Sequence, residues 1–187
     1  VDSIRSEETV SKLKRAGVNW LSYGIEAADE NVRNVVKKGF EQKQLFNTIA
    51  QVNAEGIYVI ANYIFGLPEE DLAAMQRTLD LAMELNCEFA NFYCAMAYPG
   101  SQLYLQAKEN NWPLPEKWSG FSQHSVDTLP LPTKHLSGSE VLRFRDRAWQ
   151  TYFENPRYLE MIEREFGLDT VKHINEMASH KLVRNNA

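Results

Sequence analysis

The feature that most constrains this chain is a plan used three times in a row: a helical stretch, a short turn, an apolar strand, then a polar loop. Residues 7–15 lead through Ala16-Gly17 into VNWLSYGIE. Residues 42–54 lead through Glu55-Gly56 into IYVIANYIFG, and residues 72–85 lead through Asn86-Cys87 into EFANFYCAM. Gly or Asn after a helix supplies the left-handed residue that ends it. Ser6 and Asp29 read as helix N-caps, and Pro68 stands just ahead of an acidic first turn. The last two strands are nearly continuous apolar runs, as expected of parallel strands covered on both faces. Helix–strand alternation with such short connections predicts βα units in a parallel sheet, with neighbouring strands at 18–26, 57–65 and 88–96.

Past Gly100 the pattern changes. Residues 101–110 read as a helix. Residues 111–137, with Trp112, Pro113, Pro115, Trp118, Gly120, Pro130 and Pro132, read as an irregular aromatic segment. A loop that long inside a domain is usually functional. Residues 138–187 are helical again, with apolar spacing at Val141, Phe144, Ala148 and Tyr152, and Ser139 as cap. Pro156 stops or kinks that helix, and two short helices follow at 157–166 and 169–180. Arg143, Arg145 and Arg147 offer a phosphate site or, since Glu140, Asp146 and Glu154 balance them, the solvated face of an amphipathic helix, and the second is the expectation. The expected organisation is a βα-unit region at 1–110, the irregular segment at 111–137 and a helical extension at 138–187.

A net charge of -5 argues against a nucleic-acid partner or an anionic membrane surface, which both want a basic patch. No run approaches the roughly 18 apolar residues of a membrane span. No signal peptide opens the chain, and a start at Val1 without Met suggests a fragment of a longer protein. Cys87 and Cys94 lie in one predicted strand, about 20 Å or more apart, so they cannot form a disulfide. That predicts a reducing, cytoplasmic setting. The histidines, 124, 135, 173 and 180, are scattered, and no CxxC or CxxxCxxC occurs, so no metal set is expected here.

In parallel sheets of this kind the chemistry sits at the C-terminal strand ends. Here those ends read YGIEAADE, IFGLPEED and AMAYPGSQLY. A period of two puts Ser22, Gly24 and Glu26 on one face, Asn62, Ile64 and Gly66 on one face, and Asn91 with Tyr93. Small and polar residues there, in place of bulky branched ones, predict a cavity that receives a polar ligand, the alternative being side chains satisfied by one another or facing solvent on an open sheet.

These strand ends carry a resemblance. GIEAADENVRNVVKKGF, NYIFGLPEED and CAMAYPGSQLY, with VDSIR ahead of them, resemble successive segments of radical S-adenosylmethionine enzymes. The tail, HSVDTLPLPTKHLSGSEVLRFRDRAWQTYFENPRYL, resembles the C-terminal region of their cobalamin-binding subgroup. The resemblance runs to about Phe166. It implies an α/β fold, the C-terminal half of a partial (β/α)6 TIM-like barrel followed by a helical extension. It implies a four-iron four-sulfur cluster on a CxxxCxxC loop, and reductive cleavage of S-adenosylmethionine to a deoxyadenosyl radical. The outcome would be methyl transfer, cyclisation or rearrangement of a small molecule. Residue by residue, Gly24, Glu26 and Ala27 would meet the methionine or ribose end. Lys38 would meet the methionine carboxylate. Gly66, with Ile64 and Leu67, would let the backbone approach the adenine, where a side chain would block it. Tyr98 and Pro99 would close that side of the pocket. Asn62, Asn91, Tyr93 and the 111–137 segment would read the substrate.

The chain departs from the family pattern in three ways. Ala27 stands where Ser is usual. Glu69 stands where Gly is usual, with Glu70 at the usual Glu position. The cluster cysteines are absent, and they are expected upstream of Val1 together with any cobalamin domain. No catalytic or metal-binding residue is therefore assigned, and the chain alone is expected to be inactive. Its partners would be a small-molecule substrate and a reductant such as ferredoxin or flavodoxin. An unpaired sheet edge would promote self-association. The competing reading is a non-catalytic α/β binding or scaffold domain that keeps the barrel fold without a cluster. A third, an ordinary barrel hydrolase or aldolase with Glu26 as base, lacks a Lys, His or Ser at a second strand end.

Overall fold

Three apolar runs become three parallel strands because the helix after each strand returns the chain to the same end of the sheet. The computed structural model describes residues 6–30, 32 and 41–187. The strands are β1 (Trp20–Glu26), β2 (Tyr58–Phe65) and β3 (Phe89–Cys94), parallel throughout in the order β1-β2-β3. They alternate with α1 (Glu7–Arg15), α2 (Gln42–Ala54) and α3 (Leu72–Leu85). After β3 come α4 (Gln102–Glu109), a 3-10 turn (Trp118–Phe121), α5 (Gly138–Phe153), α6 (Pro156–Phe166) and α7 (Leu168–Ser179). The fold is therefore α/β, a parallel three-stranded sheet with a helical C-terminal end.

Local signals account for most helix ends. Ser6 caps α1 through Thr9 N, and Asn86 ends α3 at φ 49. Some ends differ from expectation. Asp71 caps α3 by accepting from Ala74 N, so the acidic stretch after Pro68 precedes the helix instead of forming its first turn. The cap of α5 is Ser137, not Ser139, because Glu140 closes a reciprocal capping box with Ser137. Pro156 opens α6 at its first turn, where its missing N–H costs nothing.

The sheet is covered on one face, not two. Tyr23, Ile25, Val59, Ala61, Tyr63, Phe65, Ala90, Phe92 and Cys94 are buried, while the alternating residues of each strand are half-buried or exposed. The apolar runs arise because Trp20, Tyr58 and Phe89 also put bulk on the open face. Phe166 of α6 stacks on Trp20 at 5.9 Å and meets Tyr58 at 4.7 Å, covering the N-terminal ends of β1 and β2 there. On the buried face Phe65, Phe92, Phe144 and Tyr152 form an aromatic core with α5. Tyr152 and Tyr158 donate hydroxyls to the carbonyls of Cys87 and Glu88, tying α5 and α6 to the start of β3.

Arg145 is the exception to the solvated arginine face. Arg143 and Arg147 are exposed, but Arg145 is 3 % exposed and donates from Nε to Phe92 O at 2.7 Å. The residue falls on the side of α5 that faces β3, where only a hydrogen-bonded cation is tolerated. The segment 111–137 is packed too: Trp112, Leu114 and Leu131 join Ala97, Leu103, Tyr104 and Ala107 in a small apolar cluster. Among the described residues no helix is long and apolar enough to cross a membrane.

Candidate active site

The C-terminal ends of the three strands meet. β1 leaves the sheet through an irregularity between Gly24 and Glu26, and Ala27 N–H closes back onto Ile25 O at 3.0 Å. Glu26, between them, has φ 67, a conformation that a residue with a side chain adopts only under constraint. This three-residue turn re-aims the Glu26 carboxylate away from the strand's alternation. The loop is then anchored to α3: Ala28 N–H donates to Thr78 Oγ1 at 3.0 Å, and Arg77 pairs with Asp29 at 3.0 Å.

β2 ends in Gly66, at φ 83. A Cβ there would lie 2.6 Å from Val141 Cγ1 of α5. Helix packing and the positive φ thus already require the glycine on that side, a different reason from the ligand approach expected of it. The Gly66 and Leu67 N–H groups both donate to Glu70 Oε2, at 2.8 and 2.9 Å. Glu70 is fully buried, and its other oxygen, Oε1, has no partner among the described residues. Burial pushes its carboxyl up to about 7; the two backbone N–H groups oppose this, and Asp29 and Asp71 add to it. Glu69 is exposed beside Lys134 and is not among the residues with positive φ, so this turn does without the usual glycine.

Ala27, Leu67 and Ala95, one from each strand end, pack with Val32 in a small apolar cluster that Ile64 joins. Ala27 is fully buried within it. Lower on the open face runs a polar ladder. Asn91 Nδ2 donates to Asn62 Oδ1 at 3.0 Å, and Asn62 Nδ2 donates to Ser22 Oγ at 2.8 Å and Tyr23 O at 3.0 Å. Tyr93 is paired in register with Ile64 beside it. Beyond β3, Tyr98 is 50 % exposed and stacks on Phe121 at 6.0 Å, with Pro99 exposed next to it.

The structure thus gathers Ala27, Ile64 and Leu67 into one patch. Glu26 sits on the same β1 exit, and Gly24 on the same face as Asn62 and Asn91. Tyr98 and Pro99 lie on the outer turn, against the 3-10 segment. Lys38 lies outside the described residues, as do the VDSIR segment and most of NVRNVVKKGF. Glu70 stands at the family's usual Glu position by resemblance but carries no assigned role from sequence; its inward turn onto the Gly66 and Leu67 N–H groups comes from the fold. Among the described residues no cluster of His, Cys, Asp and Glu fits a metal ion. Cys87 and Cys94 are buried and free, and burial raises both thiols, that of Cys94 to about 12.

Residues 1–82 match the model of the Radical SAM superfamily, a span that includes β1, β2 and most of α3. Among curated proteins the chain is 23% identical over 154 residues to an uncharacterized methyltransferase of Pyrococcus horikoshii, covering 82% of this chain and 33% of that protein. It is 22% identical to a heme chaperone of Bacillus subtilis (82% and 42% covered). It is 28% identical to an anaerobic magnesium-protoporphyrin IX monomethyl ester cyclase of Rubrivivax gelatinosus (85% and 28% covered). The chain therefore spans less than half the length of these curated relatives. A solved coproporphyrinogen III oxidase from Escherichia coli, described as a radical SAM enzyme, aligns with TM-score 0.48 and 16% identity, over 64% of this chain and 35% of that one.

Proposed function

We propose that this chain is part of a radical S-adenosylmethionine enzyme and forms one wall of its cofactor pocket and part of its substrate cavity. The observation that carries the reading is the meeting of all three strand ends in the Ala27–Leu67–Ala95 patch, beside the left-handed Glu26. The superfamily match over residues 1–82 supports it.

The residues suit one of the implied groups and not the other. Ile64, half-buried against the Ala27–Leu67–Ala95 cluster, offers an apolar surface for an adenine ring. The Glu26 carboxylate beside it fits ribose hydroxyls or an ammonium. S-adenosylmethionine held there supplies, on reduction, a deoxyadenosyl radical. Gly24, Glu26, Ala27, Ile64, Gly66 and Leu67 bind and orient it, while Glu70 holds the Gly66–Leu67 turn in place through two N–H groups. The cluster does not fit here: the two cysteines are buried, apart and thiol-protonated, so its ligands belong to a part of the protein outside this sequence. Asn62, Asn91 and Tyr93, on the open face, read the substrate.

The reaction is methyl transfer, cyclisation or rearrangement of a small molecule, with a reductant such as ferredoxin or flavodoxin. The names of the methyltransferase and cyclase relatives agree with two of these outcomes. Cobalamin, implied by the resemblance of the tail, belongs with the same proposal and with a domain outside this sequence.

The test uses the whole protein, reconstituted anaerobically with iron and sulfide and given dithionite and S-adenosylmethionine. Deoxyadenosine should be released. Glu26→Gln should weaken S-adenosylmethionine binding at least tenfold in equilibrium dialysis. No release from a protein with a confirmed cluster would overturn the reading in favour of a binding domain.

A further inference from the structure

Two buried arginines share one carboxylate on the C-terminal side of the sheet. The side chains of Arg145 and Arg184 are 4% and 3% exposed. Arg184 is saturated. Its Nε and Nη2 each reach an Asp146 oxygen at 2.8 Å. Its Nη1 donates to Ser125 O and Thr128 Oγ1, and Nη2 also reaches Gln123 O. Arg145 is not saturated. Nε serves Phe92 O and Nη1 serves Asp146 Oδ1, while Nη2 makes no hydrogen bond among the described residues and is not one of the fully buried unpartnered atoms.

The charges do not cancel either. Burial pulls the Asp146 carboxyl up, but hydrogen bonds from Arg184 and Arg145 outweigh it and hold it below its ordinary value, so it is fully ionised at neutral pH. Two guanidiniums against one carboxylate leave one positive charge over. Both guanidiniums share the one Asp146 carboxylate, so the trio keeps a net positive charge that a bound anion would offset.

All three residues line a cavity of about 1080 Å³ between α5 and the C-terminal tail. Phe89, Trp149 and Met177 give it apolar walls, and Asn91 connects it to the open sheet face. Glu140, also in the lining, is oriented onto the Ser137 cap by hydrogen bonds from Ser137 N and Oγ. His124, at the same cavity, is held below its ordinary value first by burial and then by Arg145 and Arg184, which reports the same positive field. A cavity of this size with apolar walls and an excess of cations in its lining, Arg143, Arg147 and Lys181 beside Arg145 and Arg184, has the make-up of a site for a small anionic molecule.

We propose that this cavity binds an amphipathic organic anion, its carboxylate or other oxyanion on Arg145 Nη2 and its apolar body along Phe89, Trp149 and Met177. The site is independent of cofactor chemistry, so its failure would leave the radical-enzyme reading untouched.

The experiment is calorimetric titration of the full chain with decanoate, decanol and inorganic phosphate. Decanoate should bind at least tenfold more tightly than decanol, and phosphate far more weakly than decanoate. Arg145→Lys, which removes the free Nη2, should weaken decanoate at least tenfold and leave decanol unchanged. Because Arg145 also holds Phe92, Gln150→Glu is the second variant. Gln150 lines the same cavity and lies half-buried on α5, so an added carboxylate there should repel decanoate tenfold without altering the melt. Equal affinity for decanoate and decanol, or decanoate binding unmoved by Gln150→Glu, would overturn the proposal. Phosphate binding as tightly as decanoate would overturn the amphipathic assignment.

Discussion

The two edges of the sheet are treated in opposite ways. Along β3, side chains from the C-terminal third occupy the backbone groups that a further strand would use. Gln123 accepts from Cys94 N–H at 2.9 Å and donates to Cys94 O at 3.0 Å, and Arg145 takes Phe92 O. Arg184, Asn185 and Asn186 then clamp the tail onto residues 123–128, which hold Gln123 in place. Along β1 no strand pairs with the outer side among the described residues. An unpaired parallel edge is a place to add strands, whereas a capped one is an end. Among the described residues the sheet is thus closed by side chains at β3 and left open at β1.

The largest test of the sealed edge is Asp146→Ala. It leaves Arg145 and Arg184 buried with no counter-charge, and removal of one partner from a buried ionic group costs about 3–5 kcal/mol. Urea unfolding followed by circular dichroism should show that loss, and a change under 1 kcal/mol would mean that water already solvates the cluster.

Between the edges, at the end of β2, Glu70 provides the second test. Its carboxyl is raised to about 7 from an ordinary 4.5, so between those values the folded chain holds a proton that the unfolded chain has lost. Its contribution is therefore greatest below about pH 4.5 and is lost as pH rises toward 7, on the order of 3 kcal/mol in full. Glu70→Gln should remove this dependence. The difference between the wild-type and variant stability curves should slope downward across pH 5–7 and flatten above it. A flat difference would show that the carboxylate is ionised in the fold.

A smaller loss is expected from Gln123→Ala, which strips two hydrogen bonds from Cys94 and should cost about 1–3 kcal/mol. It also opens the β3 edge, so sedimentation velocity should show more self-association than wild type. The smallest effect is that of β1 in the unaltered chain: weak, concentration-dependent association through its open edge. A clean monomer at high concentration would remove that half of the comparison.

Much of this fold is legible in the sequence because its signals are local. Glu7–Arg15, Gln42–Ala54 and Leu72–Leu85 follow from helical periodicity, from stop signals at Gly17, Gly56 and Asn86 and, for the first of them, from the Ser6 cap. Strand alternation alone also puts Gly24, Asn62 and Asn91 on equivalent faces of their strands. Other features are hidden. That Arg145 turns inward while Arg143 and Arg147 do not depends on where β3 lies against α5. Glu70 and Glu69 are equivalent by composition, and only the turn after Gly66 buries one of them. The cap of α5 falls at Ser137 because Glu140 can reach back to it, a choice between two serines of like propensity.

The sequence by itself determined the succession of elements, their parallel order and the strand ends on which any chemistry would sit, because periodicity, caps and turns act over a few residues. The tertiary structure alone decided which face of the sheet is covered, which edge is closed and which charges are buried. Those outcomes rest on contacts between residues far apart in sequence, such as Gln123 with Cys94, Thr78 with Ala28 and Arg145 with Phe92. No local pattern carries them, since the burial that gives such contacts their energy exists only once the whole chain has folded.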